Sequence, residues 1–303
     1  MVPVDRNRVA KPASLTAPNG AGHREHLRAA MYYQSPRNKA YGFAHYKEPD
    51  VVTALNKLFH NKCAYCEGKI TSTGPIDVEH FRPKGQIEGE VNHPGYWWLA
   101  TEWTNLLASC IDCNRGRNQT LLGSEDGQRL TQGERLSGKH DHFPVAGPRA
   151  TCATDDHALE DPLLIDPTCV DPGEHIGWKV VADQPLAVAI SQYGQTSIDL
   201  FGLNRSKLAE ARLEYQLKLD EEFLCLKTTI HKIAKETTDE GVREWMPVLQ
   251  MHIDRFFSHA KANNEYSAFA RHIVDSRYDT VSEMVDALLA RVARESPVGA
   301  AAR

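Results

Sequence analysis

Apolar residues recur at helical spacing in the N-terminal half of the chain. Val51, Leu55, Leu58 and Phe59 fall on one face of a predicted helix. Asp50 stands directly before this stripe, and a carboxylate there is expected to cap the free N–H groups of the first turn. The pattern predicts a helix that follows Asp50 and packs its apolar face into a core.

From about residue 196 onward, helical periodicity dominates the chain. Two apolar stripes carry this periodicity, and they consist of Leu208, Ala211, Tyr215, Leu219, Phe223 and Leu226 and of Leu249, Ile253, Phe256 and Ala260. More apolar residues follow Thr280 and Glu283, whose spacing is typical of a capping box. We therefore expect a helical C-terminal region whose final helix begins near Thr280.

Two other parts of the chain have the character of strands. In the first, Asp77 and Glu79 share one face of a short alternating segment, and His80 lies on the other face. The second consists of residues 178–181 and 186–190, two β-prone runs joined by a short polar link. The first pattern predicts a strand and the second predicts a hairpin.

These elements indicate an α+β protein that is mostly helical. We divide the chain into an N-terminal arm (1–47), a central module (48–150), a connecting segment with the hairpin (151–200) and a helical C-terminal region (201–303). The arm is polar and contains several prolines and glycines. It is expected to lie over another part of the protein or to be partly disordered.

Composition narrows the class of protein. The chain has 303 residues, of which 41% are hydrophobic and 25% charged, enough for one elaborated domain or two small ones. No apolar run approaches the roughly 20 residues that span a bilayer, and residues 1–22 lack the apolar core of a signal peptide. We therefore expect a cytoplasmic protein, in which the isolated Cys152, Cys169 and Cys225 are reduced thiols. The formal charge of −5 disfavours a general electrostatic attraction to nucleic acid.

Four cysteines form two Cys-x-x-Cys pairs. Cys63 pairs with Cys66, and Cys110 pairs with Cys113. This pattern predicts one tetrathiolate Zn²⁺ site. Two disulfides or a redox dithiol are the alternatives, but nothing in the sequence indicates an oxidising compartment or a thioredoxin-like unit. A zinc ion with four thiolates has no open position for water, so its predicted role is structural.

The segment around these pairs holds the candidate chemistry. His80 is suited to accept a proton from water at neutral pH, and the adjacent Glu79 can hold a hard divalent cation. Asn105 can link two loops through its amide, which both donates and accepts hydrogen bonds. Asn114 directly follows Cys113, where we expect the first turn of a short helix.

At these residues the chain resembles the HNH (ββα-metal) endonucleases, in the variant with two Cys-x-x-Cys pairs. The resemblance implies a ββα-metal module in which His80 is the general base that activates water for attack on a phosphodiester. It further implies that Glu79 and Asn114 hold one catalytic Mg²⁺ or Mn²⁺ and that Asn105 braces the loop that orients His80. The family more often has aspartate before the histidine, so Glu79 is a departure, and Asp77 is the reserve ligand.

Basic side chains flank this proposed centre. Those expected to contact substrate phosphates are Arg82, Lys84, Arg115 and Arg117. The alternative is that they are ordinary solvated side chains. Surface positions or positions outside the metal ligands are expected for the scattered histidines His140, His142, His157 and His175.

Beyond the HNH residues, the chain resembles the PtuB family, the HNH subunit of Septu anti-phage systems. The segments that carry this resemblance are 58–67, 79–84, 96–100, 103–107, 163–167, 171–175 and 201–205. The resemblance implies a PtuA-like ATPase partner, and the chain itself has no Walker A pattern. A polar insertion at about residues 119–137 departs from the family and is expected to reshape the edge of the substrate site.

The function predicted from the sequence is a metal-dependent HNH endonuclease that acts in anti-phage defence with an ATPase partner. One alternative is the same nuclease in another biological role. Another is a zinc-stabilised module that binds nucleic acid or a partner without catalysis. The sequence leaves open whether the substrate is double-stranded DNA, single-stranded DNA or RNA, including tRNA.

Overall fold

The computed structural model describes residues 1–35, 39–70, 74–124 and 127–295. Its helices are α1 (Ala13–Thr16), α2 (Ala21–Tyr32), α3 (Pro49–Leu58), α4 (Ile111–Asn114), α5 (Gln192–Leu200), α6 (Ser206–Ile233), α7 (Asp239–Ser258) and α8 (Ser267–Glu295). Its strands are β1 (Asp77–His80), β2 (Leu106–Ser109), β3 (Arg117–Gly123), β4 (Thr131–Ser137), β5 (Ile176–Val181) and β6 (Gln184–Ala189). The strands pair as β1–β2, β3–β4 and β5–β6, each pair antiparallel.

The chain divides into two compact units, Met1–Glu210 and Ala211–Arg303. The first unit contains every strand named above, and the second is helical over its described residues. The predicted combination of α-helices with small sheets is confirmed. The finer boundaries near residues 47, 150 and 200 stay predictions.

Helix α3 forms as the apolar periodicity predicts. Val51, Leu55 and Leu58 are fully buried on its inner face. The expected cap is wrong, because the helix begins at Pro49, whose fixed φ suits the first helical position. Asp50 lies inside the first turn instead, and its carboxylate accepts hydrogen bonds from the backbone N–H and the hydroxyl of Ser14 at 2.9 and 2.6 Å.

The described part of the N-terminal arm lies over the central module. Arg6 makes this contact: its guanidinium donates hydrogen bonds to the carbonyl oxygens of Trp103 and Leu106 at 2.8 and 3.0 Å. It also donates to the Thr168 hydroxyl at 2.9 Å. Of the two arrangements expected for the arm, the packed one is therefore observed, and residues 36–38 lie outside the described part.

The core of the first unit contains a β-hairpin followed by a one-turn helix. Strand β1 pairs with β2 so that His80 faces Leu106 and Asp77 faces Ser109. All of β2 is buried, and α4 follows it after a single residue. This order of two strands and a short helix places the residues that carry the candidate chemistry side by side.

Two further hairpins flank this core. The polar insertion forms the hairpin of β3 and β4, whose register runs from Arg117 opposite Ser137 to Gly123 opposite Thr131. Residues 125 and 126, in the link between these strands, lie outside the description. The predicted later hairpin is confirmed as β5 and β6, with a tighter turn than expected: Ala182 and Asp183 have φ of 46° and 62°.

The C-terminal helices bury the predicted stripes in part. Leu219, Leu226, Leu249 and Phe256 are buried. The predicted start of the last helix near Thr280 is wrong, because α8 runs without interruption from Ser267. Within the described residues, no helix is both long enough and apolar enough to cross a membrane.

Candidate active site

The four paired cysteines converge on one point. The sulfur atoms of Cys63, Cys66, Cys110 and Cys113 all lie within 4.8 Å of one another. The sulfurs of Cys66 and Cys110 are 3.8 Å apart, close to the edge of about 3.8 Å that a tetrahedron with Zn–S bonds of about 2.3 Å would have. The four thiols could therefore hold a single metal ion, and zinc fits their chemistry.

Arg205 supplies a positive charge beside this cluster. Its buried guanidinium donates to the sulfur of Cys113 at 3.6 Å and to that of Cys110 at 3.9 Å. Its Nη1 also donates to the carbonyl of Gly202 at 3.1 Å. A cation here offsets the excess negative charge of four thiolates around a divalent ion, so Arg205 belongs to the environment of the metal site.

His80 is held in one orientation and one tautomer. Its Nε2 lies 2.9 Å from the carbonyl oxygen of Ala100, which can only accept a hydrogen bond, so Nε2 carries the proton. Nδ1 of the neutral ring therefore carries the lone pair, and the Lys84 ammonium can donate to it at 3.5 Å. Burial, together with Lys84, holds the pKa of His80 well below its ordinary value. The tautomer makes Nδ1 the acceptor nitrogen of the ring.

Asn105 fixes the backbone that follows His80 and the turn that holds the His80 ring. Its Oδ1 accepts from the backbone N–H of Arg82 at 2.8 Å, and its Nδ2 donates to the Arg82 carbonyl at 3.0 Å. Nδ2 also donates to the carbonyl of Leu99 at 3.2 Å, one residue before the carbonyl that holds His80. Asn105 therefore joins the end of β1 to the turn that orients the histidine ring.

One cavity of about 350 Å³ brings several of the sequence-predicted residues together. Its lining includes Glu79, His80, Lys84, Asn114 and Arg115. The walls opposite them come from the N-terminal arm and from the segment after β4, and they include Tyr41, Tyr46, His140 and Asp141. Strand β1, helix α4 and the residues beyond the insertion thus converge on one concave surface.

Glu79 is buried and forms an ion pair inside the protein. Its Oε1 lies 2.7 Å from the ammonium of Lys139, an ion pair without the geometry of a hydrogen bond, and within the described residues Oε1 has no hydrogen-bond partner. Burial raises the pKa of Glu79, and the opposing charge of Lys139 acts to lower it.

Asn114 is tethered by its amide nitrogen. Nδ2 donates to the Asp77 carboxylate at 3.0 Å, and Arg115 binds the same carboxylate through Nε and Nη2 at 2.9 and 2.8 Å. Asp77, the reserve metal ligand, is therefore engaged in fixing α4 to β1. The side-chain oxygen of Asn114 has no recorded partner in the described part of the chain.

The basic residues divide into two groups. Lys84 and Arg115 line the cavity, as a phosphate-binding role requires. Arg82 does not, because its Nε donates to the fully buried carboxylate of Glu160 at 2.7 Å. Arg117 does not line the cavity either. It is exposed on β3 and pairs with Asp112 at 2.7 Å.

Sequence reasoning missed part of the site. Lys139, which is fully buried beneath β1, and the cavity residues Tyr46 and Asp141 had no predicted role. The ring of Tyr46 packs edge-on against His80, with centroids 4.4 Å apart. His140 is exposed, as expected of a surface histidine, yet it lies at the cavity. The glycine at position 138 could have drawn attention to this segment, because its φ of +107° is a backbone conformation that glycine adopts without strain.

The cavity offers oxygen donors for a divalent cation. Glu79 supplies a carboxylate and Asn114 an amide oxygen, which are ligands that Mg²⁺ and Mn²⁺ accept. Within the described residues, the four cysteines are the one recorded group of three or more Cys, His, Asp or Glu side chains close enough to share a metal ion. A cation held by Glu79 and Asn114 would therefore complete its coordination with water and substrate oxygens.

The chain is similar to proteins of Septu systems. It is 32% identical over 217 residues to the Septu protein PtuB of Bacillus mycoides (strain KBAB4), and the match covers 70% of this chain and 66% of that protein. It is 23% identical over 207 residues to the Septu protein PtuA of the same strain, covering 63% of this chain and 26% of PtuA. A third match, to the Septu protein PtuB of Bacillus thuringiensis, is 37% identical over 68 residues and covers 22% and 23% of the two chains.

The chain spans less than two thirds of the length of each of these relatives. No family model matches the sequence, and no solved structure matches it. The similarity to PtuB extends over most of the chain, and it supports the PtuB-like character that the sequence motifs indicate.

Proposed function

We infer that this protein is a PtuB-like component of a Septu anti-phage system and that it acts as a metal-dependent HNH endonuclease. The observation that carries the nuclease assignment is the state of His80, whose Nε2–H is bound to Ala100 so that Nδ1 is left as a proton acceptor. His80 shares its cavity with two oxygen ligands, Glu79 and Asn114. Homology to PtuB supports the assignment to Septu.

The proposed reaction is the hydrolysis of a phosphodiester. Nδ1 of His80 removes a proton from water as the water oxygen bonds to phosphorus and the bond to the leaving oxygen breaks. Ala100 holds the ring in place and stabilises the charge that His80 gains. Mg²⁺ or Mn²⁺, held by Glu79 and Asn114, would supply Lewis-acid stabilisation of the phosphate and leaving oxygen. Lys84 and Arg115 are placed to bind the phosphate.

We propose that the four-cysteine cluster holds a structural Zn²⁺. Zinc there would fix Cys110, directly before α4, and Cys113, within it, and so would position Asn114. With four thiolates it would have no coordination site for substrate, which leaves the chemistry to the cavity.

The proposed partner is a PtuA-like ATPase, and the proposed location is the cytoplasm. The similarity to both PtuB and PtuA supports membership of a Septu complex. A chain with a formal charge of −5 also has little general attraction for nucleic acid, so a partner that holds the substrate would raise cleavage efficiency.

The proposal is tested with purified protein in Mg²⁺ or Mn²⁺, incubated with plasmid, single-stranded DNA or tRNA, with and without a co-expressed PtuA-like ATPase. We expect cleavage of at least one substrate that stops when EDTA removes the divalent ion. Absence of cleavage under every condition would favour a zinc-stabilised binding module.

A further inference from the structure

Lys139 lies fully buried beneath the proposed catalytic strand. Its ammonium is 2.7 Å from Oε1 of Glu79 and donates to the backbone carbonyl of His80 at 2.8 Å. The exposed fractions of the Lys139 and Glu79 side chains are 0% and 6%. The lysine therefore binds two consecutive residues of β1, and both belong to the proposed catalytic group.

Stability alone does not account for a lysine at this position. Moving an ammonium out of water costs several kcal/mol, and an ion pair inside a protein often does no more than offset that cost. Apolar side chains in place of both members of the pair would fill the same space without that cost. The contacts of Lys139 with Glu79 and with the His80 carbonyl point to a role in placing these two residues.

The backbone around Lys139 is held firmly to α4. The N–H of Lys139 donates to Cys113 at 2.8 Å, and the N–H of His140 donates to Asn114 at 2.6 Å. Gly138, directly before, donates to Leu200 at 2.7 Å. Because Cys113 and Asn114 end α4, the position of Lys139 is fixed relative to the cysteine cluster and to the proposed metal ligand Asn114.

We propose that Lys139 is a positioning residue for the divalent metal centre. It holds Glu79 by Oε1, so that Oε2 is the oxygen left for the cation, and it fixes the main chain at His80. This role rests on the proposed nuclease function. Groups that orient a metal ligand from behind typically contribute 10- to 100-fold to metal affinity.

The test compares Mn²⁺ binding to zinc-loaded wild type and to Lys139→Met, measured through the EPR signal of free Mn²⁺. We expect Mn²⁺ affinity to fall about 10- to 100-fold, and cleavage to recover partly at higher Mn²⁺ concentration. Lys139→Arg, which retains a cation, should recover part of the affinity. Lys207→Met removes an exposed lysine and serves as the matched control.

Zinc content and circular dichroism establish that each variant folds. If Lys139→Met loses zinc because Glu79 is left without its cation, Lys139→Gln takes its place; its polar side chain is uncharged and one bond shorter, so it cannot hold Glu79 and His80 together, and the same loss of affinity is expected. Unchanged Mn²⁺ affinity in a folded variant would overturn the proposal even if wild type cleaves nucleic acid. Conversely, the wild type could bind Mn²⁺ in a way that depends on Lys139 and yet cleave no nucleic acid. That result would support the positioning role and would contradict the proposed nuclease reaction.

Discussion

At the scale of single residues, the environment of His80 depends on side chains distant in sequence. Asn105 makes hydrogen bonds to Arg82 and Leu99, and Ala100 accepts from the histidine itself. Residue type and order predicted that Asn105 would contact this loop, because an amide can bind two backbone strands together. The carbonyl of Ala100 carries no signal in the sequence, since every residue has one.

Asn105→Ala removes three hydrogen bonds from a buried position. We expect the free energy of unfolding to fall by about 1–3 kcal/mol and kcat to fall further than this loss of stability explains, because the turn that orients His80 loosens. Chemical denaturation and steady-state kinetics measure the two effects. Asn118→Ala, at an exposed position on β3, is the control and should change neither.

Arg82, one of the predicted phosphate contacts, has a partner that the sequence does not reveal. It follows His80 closely, as a phosphate ligand would, but its partner Glu160 lies 78 positions further along the chain. Glu160 also accepts from Tyr96 and from the backbone of Ala150. Only the folded chain reveals this buried carboxylate.

Arg82→Met is therefore expected to act on stability. Leaving Glu160 buried without its cation should lower the free energy of unfolding by about 3–5 kcal/mol, while KM for the substrate changes little. Lys84→Met should do the reverse, raising KM with little change in Tm. Equal Tm values for wild type and Arg82→Met, with a raised KM, would restore Arg82 as a phosphate ligand.

At the scale of elements, strong local patterns predicted well and weak ones did not. Helix α3 and the β5–β6 hairpin follow from their apolar periodicity. The capping-box spacing at Thr280 and Glu283 failed, because the preceding residues continue the helix and no break separates them. The hairpin of the insertion was not predicted, since β4 is exposed along most of its length and lacks an apolar face.

Gly138 ends this hairpin and leads into Lys139. A Cβ there would lie 2.1 Å from the Arg115 carbonyl, and φ is +107°, so Gly138→Ala should displace the segment. We expect lower Tm and weaker Mn²⁺ binding. Gly133→Ala, on β4 with nothing within 4 Å of the added carbon, should leave both unchanged; equal behaviour of the two variants would contradict this account.

At the scale of the whole molecule, the first compact unit is built around the cysteine cluster. Cys110 joins β2 to the one-turn helix α4, Cys113 lies in that helix, and the N-terminal ammonium pairs with Glu67 beside Cys66, although none of these short elements is long enough to be stable alone. The sequence predicted that the four cysteines would come together, because each Cys-x-x-Cys motif can bring two sulfurs to one metal. The cavity could not be predicted in this way, because its walls come from four separate parts of the chain.

Cys63→Ser should unfold the first unit, since structural zinc supplies on the order of 10 kcal/mol in small domains. We expect one zinc per chain in wild type, measured by mass spectrometry of the metal, and less in this variant, together with loss of the cooperative thermal transition. Cys152→Ser, at an exposed cysteine, should retain both. A zinc-free wild type with a normal transition would contradict the structural role of the metal.

The central claim is that His80 is the base of a metal-dependent nuclease, and the most direct measurement is the cleavage rate of His80→Ala at a zinc content equal to that of wild type. General base catalysis contributes about 10²–10⁴-fold, so we predict a loss of that size with Tm and Mn²⁺ affinity close to wild type. Wild-type cleavage by a folded, zinc-loaded His80→Ala protein would contradict the account.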